Sequence, residues 1–370
     1  MSDLRLLAVV RDSNAAVKFR HLARYNPDCL FDCITVRDEA TTQLYDWSRH
    51  THHLSVKDMW FTDFPQKTDL LPDLPHLSYE RAIPRLHLPL VSTFMHYTPA
   101  LPDLCEVLGG MLTMWCREKY DAVVLWGEKC WYNEVAKEWA QTWSEHGPLP
   151  IVYVERAAVP GMFTADGTGL SAGQSDLELY RDVRVTPDRL ARWLSSVTLT
   201  GIEQQRPTTP AEVRERLPLG RNIFVPLQVP FDTNMVFRTG GKAETNSELL
   251  DWVAKHYAGQ RVVVKRHPSD GFTDQGRLEA RCAELGFELV DFAIHPLMEQ
   301  VAEVVTINSQ TAVEAWMHGV KVVFLGEPAF ALEGMTGAEM LQVLRWGYYV
   351  EPGGFGERVR QIIERSGEKR

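Results

Sequence analysis

Residues 303–328 read EVVTINSQTAVEAWMHGVKVVFLGEP, and the pattern in them decides the fold. Residues 304–307 form a β-rich apolar run, Asn308 and Ser309 break it, and residues 311–318 bring apolar side chains back at helical spacing. Ser309 is suited to cap that helix, and Gly319 to close it in the left-handed conformation. Residues 322–325 are again apolar, so the stretch predicts a strand–helix–strand unit with parallel strands. A short polar turn that feeds a helix N-terminus offers backbone N–H groups and hydroxyls, a setting that can receive a phosphate at the carboxyl edge of a parallel sheet. Taken alone, the same pattern also fits one βαβ unit among many.

Working outward, 370 residues with 45% hydrophobic and 24% charged side chains describe a globular protein with room for two domains. A net charge of −10 and a pI of about 5.7 argue against a broad electrostatic grip on nucleic acid, so an anionic ligand must find a local basic pocket. The cysteines at 29, 33, 105, 116, 130 and 282 contain no CxxC pair and suit reduced core thiols of a cytoplasmic protein. The opening MSDLRLLAVV has no basic head before its apolar run, so no secretion signal is expected. The most apolar long window, residues 107–116, is well short of the ~20 residues of a membrane span. Trp47, Trp60, Trp115, Trp126, Trp131, Trp139 and Trp143 crowd the first 150 residues and are read chiefly as core.

In chain order the pattern predicts a strand over 4–10, a helix over 15–24, irregular loops over 38–102, a helix over 104–118, a strand over 121–126 and a helix over 131–145. HTHH at 50–53 reads as a solvated or acceptor-side loop, because its spacing does not gather three imidazoles for a metal. A strand over 151–155 delivers Glu155 to its carboxyl end, followed by a polar, glycine-rich loop through residues 156–161 and 164–169. After a helix over 188–196, the proline- and charge-rich residues 204–218 mark a boundary. Strands are then predicted over 222–229, 261–265 and 287–291, and helices over 246–256, 278–285, 296–302 and 356–364. The expected fold class is α/β, with two Rossmann-like domains facing across a cleft in the manner of GT-B glycosyltransferases. Residues 1–205 would form the acceptor side, 206–355 the donor side, and 356–370 a helix crossing back. No glycine-rich dinucleotide fingerprint or P-loop is present, which argues against an NAD enzyme or a kinase.

Three strand exits in the second half, residues 228–232, 265–268 and 308–311, would open on one sheet edge and gather Asp232, His267 and Ser309 around one pocket. FVPLQVPFDTN (224–234), VVVKRHP (262–268) and VVTINSQTAVEAWMHGVKVVFLGEPAF (304–330) resemble the capsule-polysaccharide biosynthesis family of retaining bacterial β-Kdo transferases, of the O-antigen and capsule-linker type. The resemblance covers the second half of the chain and the VERAAVPG loop (154–161). It implies CMP-β-Kdo as donor, a glycan acceptor built on a lipid, and no metal. It places Gln228, Lys265, Arg266, His267, Pro268, Asn308, Ser309, Gln310 and Thr311 around the donor. Asp232 would stand at the reacting carbon, Glu155 would face it, and His267 would join them as a catalytic residue. It also implies a cytoplasmic enzyme, at most peripheral at the inner face of the inner membrane, working beside other glycosyltransferase modules.

The chemistry agrees with that division of roles. The donor bond breaks through an oxocarbenium-like state that a carboxylate can stabilise or trap. CMP leaves as an anion that needs cations and N–H groups, and the acceptor hydroxyl needs a base. Each residue also has a local alternative: Asp232 as an Asx-turn residue, His267 as a turn histidine fixed by Pro268, and Glu155 as the partner of Arg156. Two other functions fit the same pattern. One is transfer from CMP-sialic acid or a UDP-hexose, and the other is a non-catalytic polysaccharide-binding or export-associated role.

Overall fold

The computed structural model describes residues 3–10, 13–35, 50–53, 119–127, 131–143, 147–170, 175–197, 208–217, 222–230, 241–270 and 273–368. The first half contains β1 (Leu4–Val10), α1 (Ser13–Tyr25), β2 (Cys29–Thr35), β3 (His50–His53) and β4 (Ala122–Trp126). It continues with α2 (Trp131–Glu138), a wider helical turn at Trp139–Trp143, β5 (Ile151–Arg156), β6 (Phe163–Asp166) and α3 (Pro187–Ser196). The second half contains α4 (Pro210–Arg216), β7 (Asn222–Pro226), α5 (Asn246–His256), β8 (Arg261–Lys265), α6 (Gln275–Leu285), β9 (Glu288–Val290) and α7 (Ile294–Met298). It ends with β10 (Val301–Thr306), α8 (Thr311–Met317), β11 (Lys321–Phe324), α9 (Gly337–Val343), β12 (Tyr349–Val350) and α10 (Phe355–Glu368).

The elements build two separate sheets. In the first, β3-β2-β1-β4-β5 run parallel, and β6 and β12 add antiparallel strands at the β5 edge. The second is parallel throughout, in the order β9-β8-β7-β10-β11. In both, the first strand is central and the winding reverses beside it. Such a reversal opens a crevice at the strands' carboxyl ends, the usual place for a ligand in an open α/β sheet.

Alternation along the strands explains why helices cover both faces of the second sheet. Ile223, Val225, Val262, Val264 and Val305 pack on one side against Leu249 and Val253 of α5 and Leu278 and Cys282 of α6. Phe224, Val263 and Val304 pack on the other against Val213 of α4, Leu297 and Met298 of α7 and Ala315 of α8. The unit over 303–328 forms as its sequence suggests. Val304 pairs with Val322 in parallel register, and Gly319 ends the helix at φ +70°.

The last helix belongs to the first sheet's core. Phe355, Val359 and Ile362 are buried with Phe19, Leu22, Phe31, Val152 and Phe163. The Asn26 side chain accepts the Gly356 N–H at 2.9 Å and donates to the Pro352 carbonyl at 2.6 Å. A further apolar cluster joins the halves, setting Val159, Met162 and Leu177 against Val313, Met317, Phe330, Met340 and Leu344.

Several sequence expectations need correction. HTHH at 50–53 is an edge strand rather than a loop, since an edge strand needs a ladder on one side only, and β2 supplies it. Residues 163–166 are not loop either. Phe163 and Ala165 point into the core while Thr164 and Asp166 take the opposite face, a period of two hidden by the flanking glycines. Gly161, at φ +75°, makes the hairpin turn between β5 and β6. The helix expected over 131–145 turns wide after Glu138. The helix expected over 296–302 occupies Ile294–Met298 instead, because Val301 already opens β10. The helix expected over 104–118 lies outside the described residues. Cys29, Cys33 and Cys282 are buried free thiols. Among the described residues no helix is long and apolar enough to cross a membrane.

Candidate active site

The crevice of the second sheet lies between the exits of β7 and β10, and two buried carboxamides bridge it. Gln228 Nε2 donates to Asn308 Oδ1 at 2.8 Å, and the Asn308 backbone N–H donates to Gln228 Oε1 at 3.1 Å. Asn246, which opens α5, closes a similar ring with the Gln228 backbone at 3.1 and 2.7 Å. Gln228 therefore holds the Asn308 turn through its side chain, while its backbone is tied to Asn246. Such fully satisfied buried polar pairs hold one geometry, because breaking them strands donors away from water.

The turn itself is short and hydroxyl-rich. The Ser309 N–H donates to Thr306 Oγ1 at 3.3 Å, and Ser309 Oγ bonds to Thr311 Oγ1 and accepts the Thr311 N–H, each at 3.2 Å. Gln310, rather than Ser309, occupies the cap position, and α8 is only two turns long. Its dipole is correspondingly modest, which leaves individual hydroxyls and N–H groups to hold an anion.

At the β8 exit, His267 Nδ1 accepts the Ser269 N–H at 3.1 Å. This contact puts the proton of the neutral ring on Nε2, where it can be donated. Pro268 is exposed at the corner of the same turn. Arg266 folds its own loop: its Nη2 donates to the Asp270 carbonyl, Nη1 donates to Gln275 at 3.1 Å, and Nε lies 3.6 Å from the buried Asp270 carboxylate. A buried carboxylate requires such a cation, and here Arg266 serves it. Lys265 is 6% exposed, and burial lowers its pKa while the Asp291 charge opposes the shift. Asp232 lies outside the described residues.

Glu155 reaches the site from the other half. It stands one residue before the end of β5, opposite Thr164, on the face away from the first core. Glu155 and Thr164 line one cleft with Asn308, Gln310, Phe330, Tyr348 and Tyr349. The carboxylate that stood far from the Asn308 turn in sequence thus shares a pocket with it. The Tyr349 phenol is kept protonated, chiefly by burial, with the Glu155 charge adding to the effect. Nothing local in the sequence marks Tyr348, Tyr349 or Phe330, which are aromatic residues in apolar surroundings. Only the return of β12 to the first sheet brings the two tyrosines here. Among the described residues no group of three or more His, Cys, Asp or Glu side chains is placed to hold a metal.

Behind the turn, His295 Nδ1 is 3.2 Å from His318 Nε2, and His295 Nε2 is 3.8 Å from Glu314 Oε1. Burial pushes Glu314 up to about 7, partly opposed by the Thr311 hydroxyl. Burial, aided by the facing His318, pushes His295 down to about 4. A carboxyl raised in the folded state contributes stability at low pH that is lost as pH rises through its folded value. A depressed histidine contributes stability that grows as pH rises from its folded value to its ordinary one. The two slopes oppose each other between about 4.5 and 6.5. Glu314→Gln removes only the first. The variant should therefore gain about 1–2 kcal/mol relative to the parent between pH 5 and 7.5, after discounting for partial solvent screening. Urea unfolding at the two pH values checks this, and a difference that does not change with pH would contradict it.

Comparison with known proteins agrees with this architecture. Residues 194–346 match the family model described as capsule polysaccharide biosynthesis protein. Among solved structures, the β-Kdo 2,7 transferase of Thermosulfurimonas dismutans KpsC aligns over 99% of this chain and 100% of its own, at 16% identity and a TM-score of 0.51. The β-Kdo 2,4 transferase of the same KpsC aligns over 66% of this chain and 87% of its own, at 16% identity and a TM-score of 0.42. Anabaena HepE in complex with UDP covers 99% of both chains at 13% identity and a TM-score of 0.37. No curated protein sequence gives a match. The first likeness shows the fold: α/β with two separate sheets. The stretch over 194–346, which carries the second sheet, is similar to capsule polysaccharide biosynthesis proteins.

Proposed function

We propose that this chain is a glycosyltransferase of bacterial surface-polysaccharide synthesis, one that moves Kdo from CMP-β-Kdo to a glycan hydroxyl with retention of configuration. The observation that carries the reading is the convergence of Glu155 with the Asn308–Gln310 turn in one cleft, although they come from different sheets. The Ser309 and Thr311 hydroxyls and the His267 ring would receive the CMP phosphate, which leaves as an anion and needs hydrogen-bond donors. A carboxylate oxygen of Asp232 would bond to the anomeric carbon as the bond from that carbon to the phosphate oxygen breaks and CMP departs with the electron pair. An acceptor hydroxyl would then attack the same carbon, pass its proton to Glu155 and release Asp232. Gln228 would act by holding the turn, and Lys265 and Arg266 by supporting the loop from behind. The similarity of residues 194–346 to the capsule family supports this assignment.

Donor choice is tested by thermal unfolding with CMP, UDP, GDP and dTDP. A ligand bound only by the native state stabilises it by mass action, so CMP at a hundredfold excess over its Kd should raise Tm by about 5 °C. His267→Ala should remove most of that rise. A rise with UDP and none with CMP would overturn the donor assignment and point to a UDP-hexose.

A further inference from the structure

A second, larger concavity of about 570 Å³ lies at the tip of the β5–β6 hairpin, within the roughly 300–1,000 Å³ typical of small-ligand sites. Val159 and Gly161 of the tip form one wall, Trp193 and Ser196 of α3 a second, and Arg345 and Glu351 a third. We propose that this groove binds an uncharged stretch of the acceptor glycan, several sugar residues away from the hydroxyl that reacts. The proposal rests on the transferase reading of the neighbouring cleft.

Three observations point to a sugar chain. Trp193 is held as a fixed platform: its ring meets Trp346 edge-on at 5.5 Å, and Trp346 is itself clamped by the Arg189 and Arg345 guanidinium groups at 5.2 and 5.6 Å. A braced indole offers an apolar face to the C–H side of a sugar ring and loses little freedom on binding. The polar wall is an ion pair, Arg345 to Glu351 at 2.6 Å, with the Glu351 side chain 64% exposed. Its donors and acceptors can bond hydroxyls, while its cancelled charge gives no advantage to a phosphate or uronate.

The third observation is continuity. The hairpin is common to both sites: Glu155 and Thr164 at its base line the catalytic cleft, and Val159 and Met162 at its tip line the groove. At about 3.3 Å per residue Met162 lies roughly 7 Å from Thr164, the partner of Glu155, and the turn through Val159 lies beyond it, farther than one sugar ring reaches. A glycan whose end hydroxyl meets Glu155 would lay its more distant residues along the tip. None of the residues at the β7 and β10 exits lines the groove, so the groove falls to the acceptor.

The test uses the whole chain on an immobilised array of uncharged O-antigen and capsule oligosaccharides, with their uronate-containing counterparts alongside. The parent should hold uncharged chains. Trp193→Ala should weaken binding by about tenfold or more, as expected for an aromatic anchor. Ser196→Trp fills the groove from an exposed position at the end of α3 and should do the same with its melting temperature unchanged, which separates blockage from misfolding. Undiminished binding by Ser196→Trp, preference for the uronate chains, or no uncharged chain held at all would each overturn the proposal. The CMP-induced rise in Tm is measured beside it. Glycan binding without that rise would sink the donor assignment and leave the groove standing, whereas the rise without glycan binding would sink the groove alone.

Discussion

Glu155→Gln should slow transfer to the acceptor by about 10²–10⁴-fold, the usual contribution of a general base. The amide keeps the shape of the carboxylate at the end of β5, and the backbone ladder to Thr164 is untouched, so the protein should fold normally. What it loses is the ability to take a proton. Since the Asn308 turn, to which we assign the donor, is built from the other sheet, the CMP-induced rise in Tm should persist in this variant. A single-turnover assay with CMP-Kdo and acceptor measures the loss. A decrease of less than about tenfold would assign Glu155 to substrate positioning rather than proton transfer.

Asp166→Ala should be the most damaging substitution to stability among the described residues named here. Asp166 is fully buried behind the cleft, and one of its oxygens accepts the Thr168 N–H at 2.8 Å, the Thr168 hydroxyl at 3.0 Å and the Gly169 N–H at 3.1 Å. The other accepts the Asp176 N–H at 2.7 Å and the Tyr348 hydroxyl at 2.9 Å. Tyr348 lies in a segment that Arg358 holds through the Gly347 and Tyr348 carbonyls while its guanidinium rests 4.8 Å over Tyr180. Removing the carboxylate strands several donors that water cannot reach, at a cost of about 3–5 kcal/mol. Asp166→Asn, which keeps an acceptor oxygen, should cost less. Equilibrium unfolding in urea measures both, and a loss below about 1 kcal/mol for the alanine variant would show that the network rearranges around the gap.

The parallel skeleton was legible because its strands are continuous apolar runs with clear ends. Leu4–Val10, Asn246–His256 and Arg261–Lys265 fall where their patterns place them, and Gly319 closes α8 as its chemistry requires. The polar strands were not. HTHH carries no hydrophobic alternation, and β6 hides a two-residue period between glycines, so pairing partners supplied by the fold decided both. The site divides the same way. Strand exits mark Glu155, His267, Asn308 and Ser309 because carboxyl ends of parallel strands collect ligands. The mutual bonding of Gln228 with Asn308 and the arrival of Tyr348 and Tyr349 depend on contacts across long sequence separations. No local pattern encodes them.

Retention through two displacements is tested most directly by the intact mass of Glu155→Gln after incubation with CMP-Kdo. Without a base for the second step, the first product should accumulate: a covalent adduct heavier than the protein by one Kdo residue, mapping to the peptide that carries Asp232. The Asp232→Asn Glu155→Gln double variant should show no such adduct. An unmodified Glu155→Gln protein that still releases CMP, or an adduct on any residue other than Asp232, would contradict the covalent route.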